Sequence, residues 1–524
     1  MLKKIFLLAL MTIFLFVPKT FAEEIIIFHT NDMHSRILKG DDSGTSIGIA
    51  EMTAAVKTVK KNNPNTFWFD AGDTLHGLPR INISNGENII PILNLSGIDL
   101  LIPGNHDYNY GSNQLERLSK KLKFPVLSAN TVRKNNGEKI FDEYKIYNLK
   151  DGIKIGVFGL TTPETAQSTS PKNVETIEFL NPVESAKKMI EKLRPQCDIL
   201  VCVMHMGVDK NSEFTSKIIA EETDGIDVII DGHSHTELPN GLQVKNTLIA
   251  QTGCYEHTLG QVKISVENKK ITDKQAKLLK ASDVKKISEK PDEKVLKAVT
   301  DVENRTQKYF KNVVAKTDRS LTSFRLIVRR EESELGNLLA DAFRWKTGTD
   351  IAVVNGGSLR EDLPEGNVTR GDILAIQPFG NKLETAEISG KIIREMLEHS
   401  VFAYPVSFGG FLNVSGMTFT FDPSKPVGNR VEKIFVNGKP LDENKIYTMA
   451  TTNFAFLGGD GYDMLKNLKT KSVGIETTDE ILTEYLNKVG VKNIELGRIK
   501  NLHEMPVPQD EIERAKTHSA KKAA

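Results

Sequence analysis

The stretch Ile25-Ile26-Ile27-Phe28-His29-Thr30-Asn31-Asp32-Met33-His34 decides how the rest of the chain is read. Ile25 to Phe28 is an apolar run of the length of a short buried strand. Asp32 and His34 follow it closely, where a strand end can aim both side chains at one cation. A carboxylate oxygen beside an imidazole nitrogen suits zinc, manganese, iron or cobalt better than calcium. Alone, the pair is more often a solvated loop than a metal site. Its weight comes from repetition further along the chain.

Four more apolar runs end in the same way. Thr66 to Phe69 leads into Asp70-Ala71-Gly72-Asp73-Thr74, and Leu100 to Ile102 into Pro103-Gly104-Asn105-His106-Asp107. Ile199 to Met204 leads into His205-Met206-Gly207, and Val228 to Ile230 into Asp231-Gly232-His233-Ser234-His235. Amphipathic stretches such as Gly48 to Lys61 and Pro182 to Leu193 lie between them. Strand, polar loop, helix is an α/β pattern, and open α/β sheets gather ligands beyond the carboxyl ends of their strands. Gly and Asn in these loops are also plain turn chemistry. Five such loops carrying Asp, His or Asn point instead to one shared site. The candidate ligands are Asp32, His34, Asp73, Asn105, His205, His233 and His235. They are too many for one tetrahedral ion and fit two ions sharing a carboxylate, a pair that can clamp a phosphoryl oxygen and activate water. His106, left over beside Asn105, is placed to stabilise phosphoryl charge or protonate a leaving oxygen.

In this order D-x-H, G-D, G-N-H-D, H and G-H-S-H resemble the calcineurin-like metallophosphoesterases. The flanking words F-H-T-N-D-M-H, D-A-G-D and G-H-S-H-T narrow the resemblance to the 5′-nucleotidase and UDP-sugar hydrolase family. The resemblance implies two divalent ions (zinc, manganese, cobalt or similar), one held by Asp32, His34, Asp73 and His235. The other would be held by Asp73, Asn105, His205 and His233, with Asp73 bridging and His106 catalytic. It also implies a four-layer domain, two sheets between helices. One position departs from the pattern. Several members pair the catalytic histidine with an Asp three residues on, and here that catalytic partner is Asn109. Asn orients an imidazole without lending it charge, and it also occurs in relatives that open 2′,3′-cyclic nucleotides.

The second half carries different signals. Ile351 to Val354 runs into Asn355-Gly356-Gly357-Ser358-Leu359-Arg360, and Thr452 to Asp463 is a Gly-rich loop with Phe454 and Asp460. Val431 to Val436, Asn437-Gly438 and Lys439 to Leu441 read as a hairpin with a type I′ turn. These blocks resemble the family's nucleoside-holding domain. That resemblance implies Arg329 on a substrate phosphate or carboxylate, Asn355 and Arg360 in the pocket as the matches to N-G-G-x-x-R, Phe454 stacked on a base and Asp460 on the ribose. The position expected for a second stacking ring is Leu383, with Phe379 or Phe411 as substitutes.

The chain of 524 residues, 39% apolar and 26% charged, has the size and texture of a multidomain globular protein. A net charge of +1 gives no reason to expect a nucleic-acid polymer or an anionic membrane as partner. Residues 1–22, with Lys3, Lys4, an apolar run and Thr20-Phe21-Ala22, read as a signal peptide. Export to a periplasm or the outside follows, with no membrane role beyond that segment. Cys197, Cys202 and Cys254 are an odd set and read as buried small apolar residues rather than a disulfide framework. The expected division is a phosphoesterase domain over 23–281, a linker helix over 282–320 with Val295, Val299, Val302 and Tyr309 on one face, and a mixed α/β recognition domain over 321–500. The tail, 501–524, is expected to end as a frayed helix or disordered segment. The expected function is release of phosphate from nucleoside 5′-monophosphates, extending to nucleotide sugars or pyrophosphates. The alternatives are a 2′,3′-cyclic-nucleotide 2′-phosphodiesterase with 3′-nucleotidase activity and, more remotely, an inactive nucleotide-binding surface protein.

Overall fold

A computed structural model describes residues 23–519, apart from 170, 211, 492 and 493. The segment read as a signal peptide lies outside the described residues. The first half is built on two sheets. One has the strand order Lys270–Leu279, Leu259–Glu267, Glu23–Thr30, Thr66–Asp70, Leu100–Leu101, and its last three strands run parallel. The other has the order Leu242–Val244, Thr247–Ala250, Val228–Ile230, Ile199–His205, Lys154–Thr161, Tyr144–Asn148, parallel through its four central strands.

Three apolar layers follow from the alternation of side chains along these strands. Ile25, Ile27, Phe67 and Phe69 of the first sheet meet Ile155, Val157, Val201 and Val203 of the second in a core between the sheets. Ile26, Phe28 and Trp68 face the other way, into a core with helix Ile49–Asn62. Phe158, Leu200, Cys202 and Met204 cover the far side of the second sheet with helix Pro182–Leu193. Helix, sheet, sheet, helix is the expected four-layer arrangement. Pro182 opens the last helix at a position whose N–H needs no partner, and the Asn181 side chain accepts from the Val183 and Glu184 N–H groups.

The expected linker, 282–320, is not one helix. Helix Glu293–Phe310 buries Val295, Val299 and Val302 against the first half, but Tyr309 is 46% exposed. Thr306 takes the last inward place, one turn after Val302, and Tyr309 instead lies under the Arg370 guanidinium. Strand Val313–Thr317 then pairs with Gly366–Thr369 and so belongs with the second half.

That half holds a mixed five-stranded sheet, ordered Leu412–Ser415, Ile351–Asn355, Ile446–Thr452, Lys382–Ser389, Thr470–Thr477, and a four-stranded sheet containing the expected hairpin. Asn437 and Gly438 both have positive φ, as a type I′ turn requires. All three cysteines carry thiols rather than disulfides. Cys202 and Cys254 are buried, whereas Cys197, which precedes its strand instead of lying in it, is only half-buried.

The tail has the helix that was one of its two expected forms, but it is docked rather than frayed. Strand Ile499–Asn501 pairs with Met417–Phe421, and helix Gln509–Ser519 follows, with Glu511 and Ala515 buried. No helix among the described residues is long and apolar enough to cross a membrane.

Candidate metal centre and facing pocket

All seven candidate ligands sit at or just beyond the carboxyl ends of parallel strands: Asp32 and His34 after Thr30, Asp73 after Asp70, Asn105 after Leu101, His205 closing its strand, and His233 and His235 after Ile230. The loops are cross-tied before any ion is considered. The Asp32 N–H donates to the Gly72 carbonyl and the His34 N–H to the Asp73 carbonyl, both at 2.8 Å. Asp32, His34, Asp73, His233 and His235 all take positive φ, between 47° and 77°. Left-handed backbone at this many non-glycine residues is a strained state, and such clusters mark functional loops.

The side chains converge. His34 Nε2 lies 3.3 Å from His235 Nε2, and His235 Nε2 lies 3.2 Å from Asp32 Oδ1. His205 Nε2 is 3.3 Å from Asp73 Oδ2 and 3.8 Å from Asp32 Oδ1. His34 Nε2 is 3.8 Å from Asp73 Oδ2, so Asp73 stands between the two sets. His233 Nδ1 meets Asn105 Oδ1 at 2.8 Å. Among the described residues, three overlapping groups could hold a metal ion: Asp32 with His34 and His235, Asp32 with Asp73 and His205, and His34 with Asp73 and His106.

A cation fits these donors for three reasons. Asp32 Oδ1 and His205 Nε2 are buried and, among the described residues, have close polar neighbours but no well-aligned hydrogen bond, a costly state for polar atoms that an ion would relieve. Burial pushes His34 and His235 well below the usual imidazole range, leaving the neutral form that coordinates metals. Burial opposes charge on Asp73 too, yet His205 and His106 hold its carboxyl well below the ordinary range. The place between the imidazoles favours an anion, and with it a cation partner.

A second tier of carboxylates supports the loops. Asp107 accepts from the N–H groups of Asp73, Thr74, Leu75 and Gly104 at 2.7–3.0 Å. Asp70 takes the Thr30 and Thr74 hydroxyls, and Asp231 the N–H groups of Met206, Gly207 and Gly232. These residues stand inside the quoted motifs, but nothing in their spacing separates a loop anchor from a ligand. Glu164, whose Oε2 lies 3.1 Å from His233 Nε2, comes from a region without motif, so sequence reasoning misses it.

His106 borders the same space. Its backbone N–H donates to Asp73 Oδ1 at 2.7 Å. Asn109 Oδ1 accepts the Thr169 hydroxyl at 2.8 Å, so its Nδ2 faces His106 Nδ1 at 2.9 Å and His76 Nδ1 at 3.2 Å. In this arrangement His106 carries its proton on Nε2. The Phe379 ring stacks over His106 and His76.

Across a cleft of about 260 Å³, shared by both halves, stand Arg329, Asn355, Arg360, Phe454 and Asp460. Asn355 Nδ2 donates to Asp460 Oδ2 at 2.7 Å. The Phe454 ring lies flat on Gly459, where a Cβ would come within 2.4 Å of it. Burial, with Arg325 and Arg360 nearby, pulls Arg329 below the usual guanidinium range. Crowded like charges of this kind are relieved by an anion placed among them. Arg325 lines the cleft as well; it is four residues before Arg329, one turn away on a helix, which is the signal that could have found it. Of the candidates for a second ring, Leu383 and Phe411 are core residues, 1% and 2% exposed. Phe379 faces the cleft, but over the imidazoles. Arg36 bridges the halves, its Nη2 2.5 Å from Glu361 Oε1 and its guanidinium over the Tyr255 ring.

Comparison with known proteins agrees with this layout. The family model described as calcineurin-like phosphoesterase matches residues 25–237, and that described as 5′-nucleotidase, C-terminal domain, matches 313–467. Protein UshA of Yersinia enterocolitica is 28% identical over 509 residues, covering 89% of this chain and 91% of its own. The trifunctional nucleotide phosphoesterase protein YfkN of Bacillus subtilis is 29% identical across 93% of this chain, but the match spans only 35% of that longer protein. The crystal structure of a 5′-nucleotidase precursor from Thermus thermophilus superposes with a TM-score of 0.80 at 28% identity, over 92% of this chain and 100% of its own.

Proposed function

Because this chain belongs to the 5′-nucleotidase family of metal-dependent phosphoester hydrolases, we propose that it releases phosphate from nucleoside 5′-monophosphates, with nucleotide sugars or pyrophosphates as further substrates. The observation that carries this reading is the shared cleft. One wall offers Asp73, Asn105 and His106, and the other Arg329, Asn355, Arg360, Phe454 and Asp460.

Each residue then has a task. Asp32, His34, Asp73 and His235 would hold one divalent ion, and Asp73, Asn105, His205 and His233 the second; zinc, manganese and cobalt all suit these donors. Such a pair, when bound, polarises a phosphoryl oxygen and lowers the pKa of water. Arg329 and Arg360 neutralise phosphate charge in bidentate fashion. Phe454 offers its face to the base, and Asp460, held by Asn355, accepts from ribose hydroxyls. The Phe379 ring excludes water from the imidazole side. His106, its Nδ1 held by Asn109, points an Nε2–H at the phosphoryl or leaving oxygen.

Asn109 supports a second reading, a 2′,3′-cyclic-nucleotide 2′-phosphodiesterase with 3′-nucleotidase activity, since its amide lends His106 no charge. Initial rates on AMP, 3′-AMP, 2′,3′-cyclic AMP and UDP-glucose separate the two. The first reading expects AMP to be turned over fastest; 2′,3′-cyclic AMP and 3′-AMP ahead of AMP would establish the second. Binding of nucleotides without turnover of any of the four, in protein containing less than one ion per chain, would leave the inactive binder. Export is part of the same proposal, supported by the residues before Glu23. Intact mass of protein recovered outside the cytoplasm should correspond to a chain starting at Glu23; an intact Met1 form found only inside would overturn it.

A further inference from the structure

The residues after Asn501 reach the mouth of the cleft. The Met505 carbonyl accepts from Arg330 Nη2 at 3.1 Å, and the Met505 N–H donates to the Tyr404 hydroxyl at 3.3 Å. Fixed there, the chain enters helix Gln509–Ser519, which packs on the short helix Arg325–Val328. Glu511 is 1% exposed, and its Oε2 lies 3.9 Å from Arg325 Nε. Next to it, Asp510 Oδ2 pairs with Lys210 Nζ at 3.5 Å. Lys210 adjoins Asp209, which lines the opposite wall. One turn of helix therefore touches both sides of the opening.

A buried carboxylate is retained at a site when a cation faces it. Here that cation is the guanidinium of a residue lining the cleft beside Arg329 and Arg360. A carboxylate on the Nε edge of an arginine leaves its two Nη groups as the fork that takes a pair of anionic oxygens.

We propose that Glu511 is a positioning residue: from the C-terminal helix it aims the Arg325 guanidinium at the anionic group of the substrate, while the Asp510–Lys210 pair ties that helix to the opposite wall. The identification of the anion as a nucleotide phosphate rests on the proposed function. The contact between helix and arginine does not.

The test is a double-mutant cycle on manganese-loaded full-length protein. Glu511→Gln keeps the shape and removes the charge. It should raise KM for AMP and the inhibition constant of inorganic phosphate together, by about fivefold, while kcat stays within about twofold, the coupling expected of a contacting pair. Glu511→Asp should recover part of the loss. In an Arg325→Ala background, Glu511→Gln should add nothing. Thermal midpoints identify variants that lose the fold, and for these the Asp variant supplies the comparison. Unchanged KM and phosphate inhibition in Glu511→Gln, or an undiminished effect on top of Arg325→Ala, would overturn the proposal. Should the wild-type protein hydrolyse none of the four nucleotides, the nucleotidase reading fails by itself. Calorimetric binding of inorganic phosphate then decides: weaker binding in Glu511→Gln supports the role of Glu511, and equal binding ends it.

Discussion

Asp73→Asn is expected to slow hydrolysis about a thousandfold or more, the scale of losing a fully engaged electrostatic group in a closed site, and to leave at most one tightly held ion per chain. The substitution keeps volume and keeps an oxygen to accept from the His106 N–H, now at 2.7 Å. What it removes is the negative charge between His205 at 3.3 Å and His34 at 3.8 Å. Both proposed ion positions lean on that charge, and Asp73 is 1% exposed, so solvent screens it little. Elemental analysis of the purified variant, read beside initial rates on AMP, checks both halves. Two ions per chain with near wild-type rates would remove Asp73 from the bridging role.

His106→Ala should lower kcat by about a hundred- to ten-thousandfold, the range of a positioned proton donor, with metal content unchanged. The imidazole is held on three sides: by Asn109 on Nδ1, by the Phe379 ring, and through its backbone N–H on Asp73. Truncation leaves the last of these in place, so the metal loops should keep their geometry. A variant that lost metal as well as rate would place His106 among the structural supports of the loops. A variant with full rate would remove it from the chemistry.

The convergence of the loops that carry the candidate ligands was legible in the sequence because each chemical word follows an apolar run, and the run fixes where the word ends up. Ile25–Phe28 and Val228–Ile230 read as buried strands, so the residues after them emerge at strand carboxyl ends, in two sheets whose ends the fold brings side by side. The four-layer fold was legible only through the family resemblance, since nothing local says which strands face each other across Ile27 and Val201. What could not be read depends on contacts between distant segments. Leu383 occupies a place where a ring was sought, but its strand turns it into the core. Arg36 and Glu361 meet only because the two halves do. The polar, charged composition of the tail suggests a frayed helix or a disordered end; burial of Glu511 against Arg325 requires knowing where the cleft opens. Asp107 stands inside a motif, yet three of its four backbone partners, Asp73, Thr74 and Leu75, come from a different loop that only the fold brings to it.

The left-handed backbone at Asp32, His34, Asp73, His233 and His235 sets a limit on how this centre can change. Asp, Asn, His and Gly tolerate that conformation, whereas β-branched residues do not. Directed evolution towards a different ion is thereby confined to a small alphabet at these five places. Larger shifts in ion preference would have to be sought where the backbone is relaxed, at Asn105 or His205, or among the side chains behind them such as Glu164.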